Sequence, residues 1–205
     1  MLLLANTQYN SDNCLAYLSF VLIVSANLSA ADQLPSLSNV VSGDATINSI
    51  GSNLTITQSS NQAILDWNSF DIGSNAAVRF NQPSAQSLTI NNILSTQPAK
   101  IDGTLSANGR LFFSSPNGMI FGKDAKVNVE TLLATTHRIT NKTANTFELN
   151  NSGRGSIINL GQLAANNVYL IGRDVLNTGD INSAYGSVGL LAASDCALHL
   201  MMQGC

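Results

Sequence analysis

The stretch LFFSSPNGMIFGKDA, residues 111–125, decides the fold. Ser115, Pro116, Asn117 and Gly118 carry turn chemistry: proline presets φ at the second turn position, and Asn or Gly accepts positive φ after it. Apolar runs flank the turn, Leu111-Phe112-Phe113 before it and Met119-Ile120-Phe121 after it. Taken alone, two such runs around a tight turn read as an antiparallel hairpin. The alternative is a corner in a chain that coils. The spacing of similar segments along the sequence separates the two.

IDGTLSANGRLFF (101–113) and INLGQLAANNVYL (158–170) share one order: glycine, a polar residue, an aliphatic residue, small polar residues, then an apolar run. LNTGDINSAYGSVGLL (176–191) repeats it with a longer corner. Gly122 follows Gly103 by 19 residues and Gly179 follows Gly161 by 18. The 58 residues from Gly103 to Gly161 divide into three intervals of about 19, so a register of roughly 18–20 residues runs through this half. Within it, SNLTITQ (52–58), SLTINN (87–92) and KVNV (126–129) alternate with period two, the mark of a strand with one buried face. No stretch beyond residue 34 shows a helical apolar pattern, and NQAILDWNSF (61–70) reads as strand and turn. So short a period with no helix per unit predicts an all-β solenoid, a parallel β-helix whose strands pair one coil on. The 174 residues after Ala31 admit some nine coils and a rod roughly 40 Å long. An antiparallel β-sandwich is the competing architecture.

Composition fits stacked strands. Charged residues make up 10% of the chain, against about 25% in an ordinary soluble domain, and 25 asparagines supply polarity able to form amide ladders. A net charge of −3 without a basic cluster excludes the electrostatic footprint of a nucleic-acid binder. Cys14, Cys196 and Cys205 lie near the chain ends, and His137 and His199 are far apart, which predicts neither a disulfide framework nor a metal site, and no cofactor. CLAYLSFVLIV (14–24), followed by small residues at Ser29 and Ala31, has the length of a signal-peptide apolar core, though no Lys or Arg precedes Arg79. Residues 1–31 are therefore expected to be a signal peptide, with a buried apolar strand or helix as the other reading.

A β-helix can also carry polysaccharide-degrading chemistry, which needs clustered carboxylates. Asp102, Asp124, Asp174 and Asp180, with Arg110 and Arg173 nearby, read instead as single corner charges that keep a rod soluble, so no enzyme is expected. GMIFGKD (118–124) has the wrong glycine spacing for a phosphate loop, and Asp124 stands where Ser or Thr would hold magnesium. Trp67 is expected in a core or cap position rather than on a binding surface.

Two longer stretches, residues 63–93 and 100–136, carry an ordered set of motifs. Ala63, Ile64, Trp67, Phe70 and Ile72 are followed by Phe80, Gln82, Pro83 and Ser84. Gly103, Leu105, Asn108, Gly109 and Phe112 then precede Pro116, Asn117, Gly118, Phe121, Gly122 and Ala125, with Ala134, Thr135 and Thr136 closing the set. In this order the chain resembles the two-partner-secretion, or haemagglutination-activity, domain of filamentous-haemagglutinin-like adhesins and haemolysins, from about residue 34 to 193. The family's Asn-Pro-Asn-Gly-Ile stands here as Ser115-Pro116-Asn117-Gly118-Met119, and the serine hydroxyl is expected to keep the turn.

The resemblance implies a right-handed β-helix with an N-terminal β cap, the hand agreeing with that of parallel crossovers. It implies a non-enzymatic targeting role: the domain engages periplasmic domains of an outer-membrane β-barrel partner, and the exoprotein is secreted or held at the cell surface of a Gram-negative bacterium. Recognition is expected at Ser115, Pro116, Asn117, Gly118 and Met119. The segment of Ala63, Ile64, Trp67, Phe70 and Ile72, with Gln82, Pro83 and Ser84, is expected to serve recognition or cap packing. Direct binding of host carbohydrate or a host cell surface is the alternative function, although aromatics are only 6% of the chain and supply no sugar-stacking ladder. Domains are expected at 1–31 (signal peptide), 32–193 (β-helix) and 194–205, an irregular tail of truncated or frame-shifted character.

Overall fold

The turn at 115–118 is a corner. In the computed structural model, which describes residues 30–143, 146–150, 153–193 and 198–201, the runs on either side of it join different sheets. Residues 1–29 of the expected signal peptide and all three cysteines lie outside the described residues.

The strands build up coil by coil. A short 3-10 turn, Ala30–Asp32, leads into β1 (Ser36–Ser42) and β2 (Ala45–Ile50). The first coil holds β3 (Asn53–Gln58) and β4 (Gln62–Ser69), and Ile72 then bridges in parallel to Ile101. The second holds β5 (Ala77–Asn81), β6 (Leu88–Ile93) and β7 (Ala99–Ile101), and the third β8 (Thr104–Ala107), β9 (Arg110–Ser114) and β10 (Met119–Phe121). In the fourth, β11 (Lys126–Thr135) runs through two faces unbroken. An excursion of β12 (Arg138–Thr143) and β13 (Thr146–Asn150) follows before β14 (Ser156–Asn159) rejoins the stack. The fifth holds β15 (Gln162–Gly172) and β16 (Asp174–Asn177), and the sixth β17 (Asp180–Asn182) and β18 (Val188–Ala192). Finally β19 (Leu198–Met201), within the expected tail, pairs antiparallel with β13.

Three parallel stacks result, which is the expected β-helix. The first face is β3-β5-β8-β11-β15-β17, the second β4-β6-β9-β11-β15-β18, and the third β7-β10-β14-β16. The expected cap is present: β1 lies antiparallel on β4, and β2 antiparallel on β3.

The stack has six coils, not nine, a height of roughly 30 Å at about 4.8 Å per coil. Asn53 lies over Ala77, Ala77 over Thr104, Thr104 over Lys126, Lys126 over Gln162, and Gln162 over Asp180. Coils therefore advance by 24, 27, 22, 36 and 18 residues. The 58-residue step from Gly103 to Gly161 spans two coils rather than three, because one carries the β12–β13 hairpin outside the stack. The glycines mark a real constraint nonetheless. A Cβ on Gly103 would meet the carbonyls of Gly73 and Ala76, one on Gly161 those of Gly122 and Ala125, and one on Gly179 that of Gly161. At this corner each coil's backbone rests on the previous one.

The core follows from the register. Leu54, Val78, Leu105, Val127, Leu163 and Ile181 stack in one inward column. On the second face Leu111, Leu132, Val168 and Val188 do the same. A second cluster lies outside the coil: Leu88, Ile90, Phe112, Leu133 and Ile171 point outward and are covered by Ile139, Phe147 and Leu149 of the hairpin. Phe112 meets Phe147 edge to face at 5.0 Å. The hairpin therefore acts as a strap over the outer face of four coils, where bare apolar side chains would otherwise meet water.

Candidate recognition surface

The Ser115 corner is fixed on every side. Gly118 N donates to Ser115 O at 2.9 Å, closing a four-residue turn, and Gly118 takes a φ of 100°, where a side chain would be strained. Ser115 Oγ donates to Gly118 O at 2.6 Å, so serine keeps the turn as expected. Below, Asn117 Nδ2 donates to Ser95 O at 2.8 Å and Ala99 N to Gly118 O at 3.0 Å. Above, Gly155 N donates to Pro116 O at 3.0 Å. A Cβ on Gly153 would run into Pro116, and one on Gly155 into Asn117 and Gly118, so the returning limb of the hairpin lies flat on the turn. Ser115, Gly118 and Met119 are buried, while Pro116 and Asn117 are exposed.

The upstream motif residues are mostly interior. Ala63, Trp67, Phe70 and Ile72 are buried and Ile64 half-buried. Trp67 packs edge to face on Phe70 at 5.0 Å, and Phe70 on Phe113 at 5.0 Å. Trp67 thus occupies the expected core position, under the cap strand β1 that pairs with it at Leu37. Its Nε1 donates to Asn91 Oδ1 at 3.0 Å. Asn91 Nδ2 donates to the carbonyls of Thr89 and Phe112, at 3.4 and 3.3 Å. Thr89 Oγ1 in turn donates to Gln58 Oε1 at 2.6 Å and accepts from Gln82 Nε2 at 3.1 Å. Two motif segments distant in sequence, those of Trp67 and Gln82, therefore meet in one buried polar network inside an apolar core. Such a network fixes register, since each amide has partners in only one pairing.

Gln82, Pro83 and Ser84 form the corner between β5 and β6, where Pro83 is exposed and Ser84 half-buried. Asn108, at the same corner one coil on, clamps the Gln82 backbone: Gln82 N donates to Asn108 Oδ1, and Asn108 Nδ2 to Gln82 O, each at 2.7 Å. The structure does not gather the motif residues on one face. The 82–84 and 115–119 corners stand at different edges of the coil, and the 63–72 segment lies in the wall between. Motif residues with exposed side chains reduce to Pro83, Asn108, Pro116 and Asn117, and Asn108 spends its amide on the Gln82 backbone.

Three contributors were missed by sequence reasoning: Ser95 under the turn, Gly153 and Gly155 over it, and the strap. For the strap a signal existed. Phe112-Phe113 and Leu132-Leu133 put adjacent apolar residues on opposite faces of a strand, so both faces had to be covered.

Asp102 is engaged by Lys100 at 2.9 Å, and no cluster of three metal-ligating side chains occurs among the described residues. Lys100 has its pKa raised, by the hydrogen bond and charge of Asp102.

Comparison with known proteins agrees with this architecture. The family model described as the TPS secretion domain matches residues 31–199. A heme/hemopexin-binding protein of Haemophilus influenzae is 36% identical over 183 residues, covering 83% of this chain and 20% of that protein. A second Haemophilus influenzae heme/hemopexin-binding protein is 42% identical over 83 residues, 40% of this chain and 9% of the relative. The chain thus spans about a fifth or less of these relatives' length. Among solved structures, the HMW1 secretion domain from Haemophilus influenzae superposes with a TM-score of 0.70 at 31% identity, covering 82% of this chain and 49% of that one. The filamentous hemagglutinin secretion domain, at 14% identity and a TM-score of 0.52, shares the fold over 82% of this chain and 65% of its own. This is a family of secretion domains of secreted or surface exoproteins, served by outer-membrane transporters, and not a known enzyme family. The six-coil β-helix, its N-terminal cap and its ordered motifs belong to the TPS secretion-domain family.

Proposed function

We propose that this domain presents the Ser115-Pro116-Asn117-Gly118-Met119 corner to the periplasmic domains of a dedicated outer-membrane β-barrel, which then exports the chain. One observation carries the reading. Two exposed side chains, Pro116 and Asn117, sit on a turn whose backbone is locked from below, within and above. A rigid, exposed turn loses little conformational freedom on docking. Pro83, on the neighbouring edge, is the second contact in this reading, whereas Ala63, Ile64, Trp67, Phe70, Ile72, Gln82 and Ser84 hold the register. Residues 1–31 act as the leader for inner-membrane export, and 32–193 as the docking and folding unit.

Host-surface binding, and any ligand of the kind named for the relatives, we assign to parts of the exoprotein beyond this domain. Among the described residues the exposed large apolar side chains include a single aromatic, Tyr185, which is too little for a stacking surface.

Co-expression with a cognate barrel tests the reading. Wild-type chain should reach the medium. Asn117→Ala, and a Pro83→Ala/Pro116→Ala pair, should lower export while the purified domains keep near-normal melting. Export unchanged in all of them makes these corners scaffold, and absence of wild-type export through any such barrel removes the transport reading.

A further inference from the structure

Of the 25 asparagines, two precede a glycine: Asn108 before Gly109, and Asn117 before Gly118. Asn-Gly is the sequence in which an asparagine side chain is attacked by its own main chain. The glycine nitrogen, having given its proton to base, bonds to Cγ. The Cγ–Nδ2 bond breaks, and the nitrogen takes up a proton and leaves as ammonia. Water then opens the resulting five-membered imide at either carbonyl, giving aspartate or, with an extra methylene in the main chain, isoaspartate. Glycine permits this because no Cβ crowds the nitrogen and the backbone reaches the required dihedrals.

Folding withdraws both reactants. At the 115–118 corner the nucleophile, Gly118 N, is held by Ser115 O at 2.9 Å, and Gly118 is buried at a φ of 100° under the Gly153–Gly155 limb. The leaving amide of Asn117 is held on the coil below by Ser95 O at 2.8 Å. At the other pair both amide atoms of Asn108 are engaged by the Gln82 backbone, and Gly109 is packed against Ser84 O and Ser87 O. For either ring to close, a coil-to-coil contact has to break first.

The geometry points to these two Asn-Gly pairs as a conditional modification site, reactive in the open chain, silent in the stacked coil, and yielding a product that cannot restack. The last clause follows from the acceptors. Both amides donate to main-chain carbonyls of the preceding coil, Gln82 O and Ser95 O. A carboxylate at either position has no proton to donate and sets negative charge against a carbonyl oxygen. Isoaspartate also lengthens the main chain inside a four-residue turn. Unfolded chains thus lose, with time, the ability to become folded ones. The inference stands apart from the transport reading and is tested without a barrel.

The experiment holds the full chain at mildly alkaline pH under reductant, once folded and once in concentrated urea, with samples taken over days. Peptide mass mapping reads the amide-to-acid gain, and an isoaspartate-specific methyl-transfer assay reads the product. In urea, Asn108 and Asn117 should convert ahead of every other asparagine. In the folded protein, conversion should be about tenfold slower or more, because it proceeds only through rare local openings. Gly118→Ala held in urea should suppress conversion at Asn117 alone, a control that needs no folded variant. When aged chains are diluted from urea, modified peptides should collect in the fraction that fails to refold. Equal conversion in folded and urea-held chains overturns the protection. Equal partition of modified peptides between refolded and non-refolded fractions overturns the consequence.

Discussion

The two ends of the stack are built differently. At the N-terminal end all three faces of the first coil are closed. β1 lies on β4 and β2 on β3, while Gly73 N donates to Gln33 O of the entering chain at 2.9 Å. Antiparallel strands end a parallel stack, because they satisfy the edge without offering the register of another coil. At the C-terminal end, β16, β17 and β18 each pair with the preceding coil, and no further pairing occurs among the described residues. The inward column shows the effect. Leu170 is 0% exposed, and Leu190, directly over it, is 47% exposed. Val188 and Leu191 are likewise exposed, over the buried Val168 and Ile171. The same side-chain types in the same columns are core at one level and surface at the next. Position along the stack, more than residue type, sets what a side chain contributes.

The sharpest way to break this contrast is at the closed end. Trp67→Ala removes a fully buried ring, its edge contact with Phe70 and the donor to Asn91, and should cost about 3–5 kcal/mol in urea denaturation. A smaller loss there would mean the cap adds little. Next comes a matched pair in one column. Leu170→Ala should cost about 2–5 kcal/mol and Leu190→Ala only about 1 kcal/mol or less, one coil apart. Equal costs would show that the last coil is covered in solution. Gly118→Ala, mid-stack, should cost about 1–2 kcal/mol from positive φ, and more through contact with Ser156 O. Hydrogen exchange should grade the same way, with amides of β16–β18 exchanging before those of β5–β9. The smallest effect belongs to the exposed Lys100–Asp102 pair, under about 1 kcal/mol on Lys100→Ala. Because the folded-state pKa of Lys100 is raised, that contribution is complete below the ordinary lysine range and fades as pH rises through the folded value.

What the sequence reveals of this fold follows which forces are local. The Ser115-Pro116-Asn117-Gly118 turn, the period-two strands and the glycine corners depend on neighbours a few residues away, and all were readable. The coil count was not, because Arg138–Thr143 and Thr146–Asn150 are short strands like those of the coil while lying outside the stack. Local pattern records that a segment is a strand, not which strand it pairs with. The candidate surface divides along the same line. Exposure of Pro116 and Asn117 could be anticipated from turn chemistry. Their clamps could not, since Ser95 and Gly155 come from other coils and meet the turn only once register is set.

The strap has a consequence for what this scaffold tolerates. Between Thr135 and Ser156 the chain leaves the stack and returns, yet β11 and β14 keep the register of their neighbours. The coil imposes spacing on its faces and leaves the contour length of a corner free. The entropy of closing a loop grows only logarithmically, about 0.6 kcal/mol per doubling of length. A corner that already carries a folded hairpin therefore shows that extra chain length can be spent outside the coil while the stacked strands keep their register.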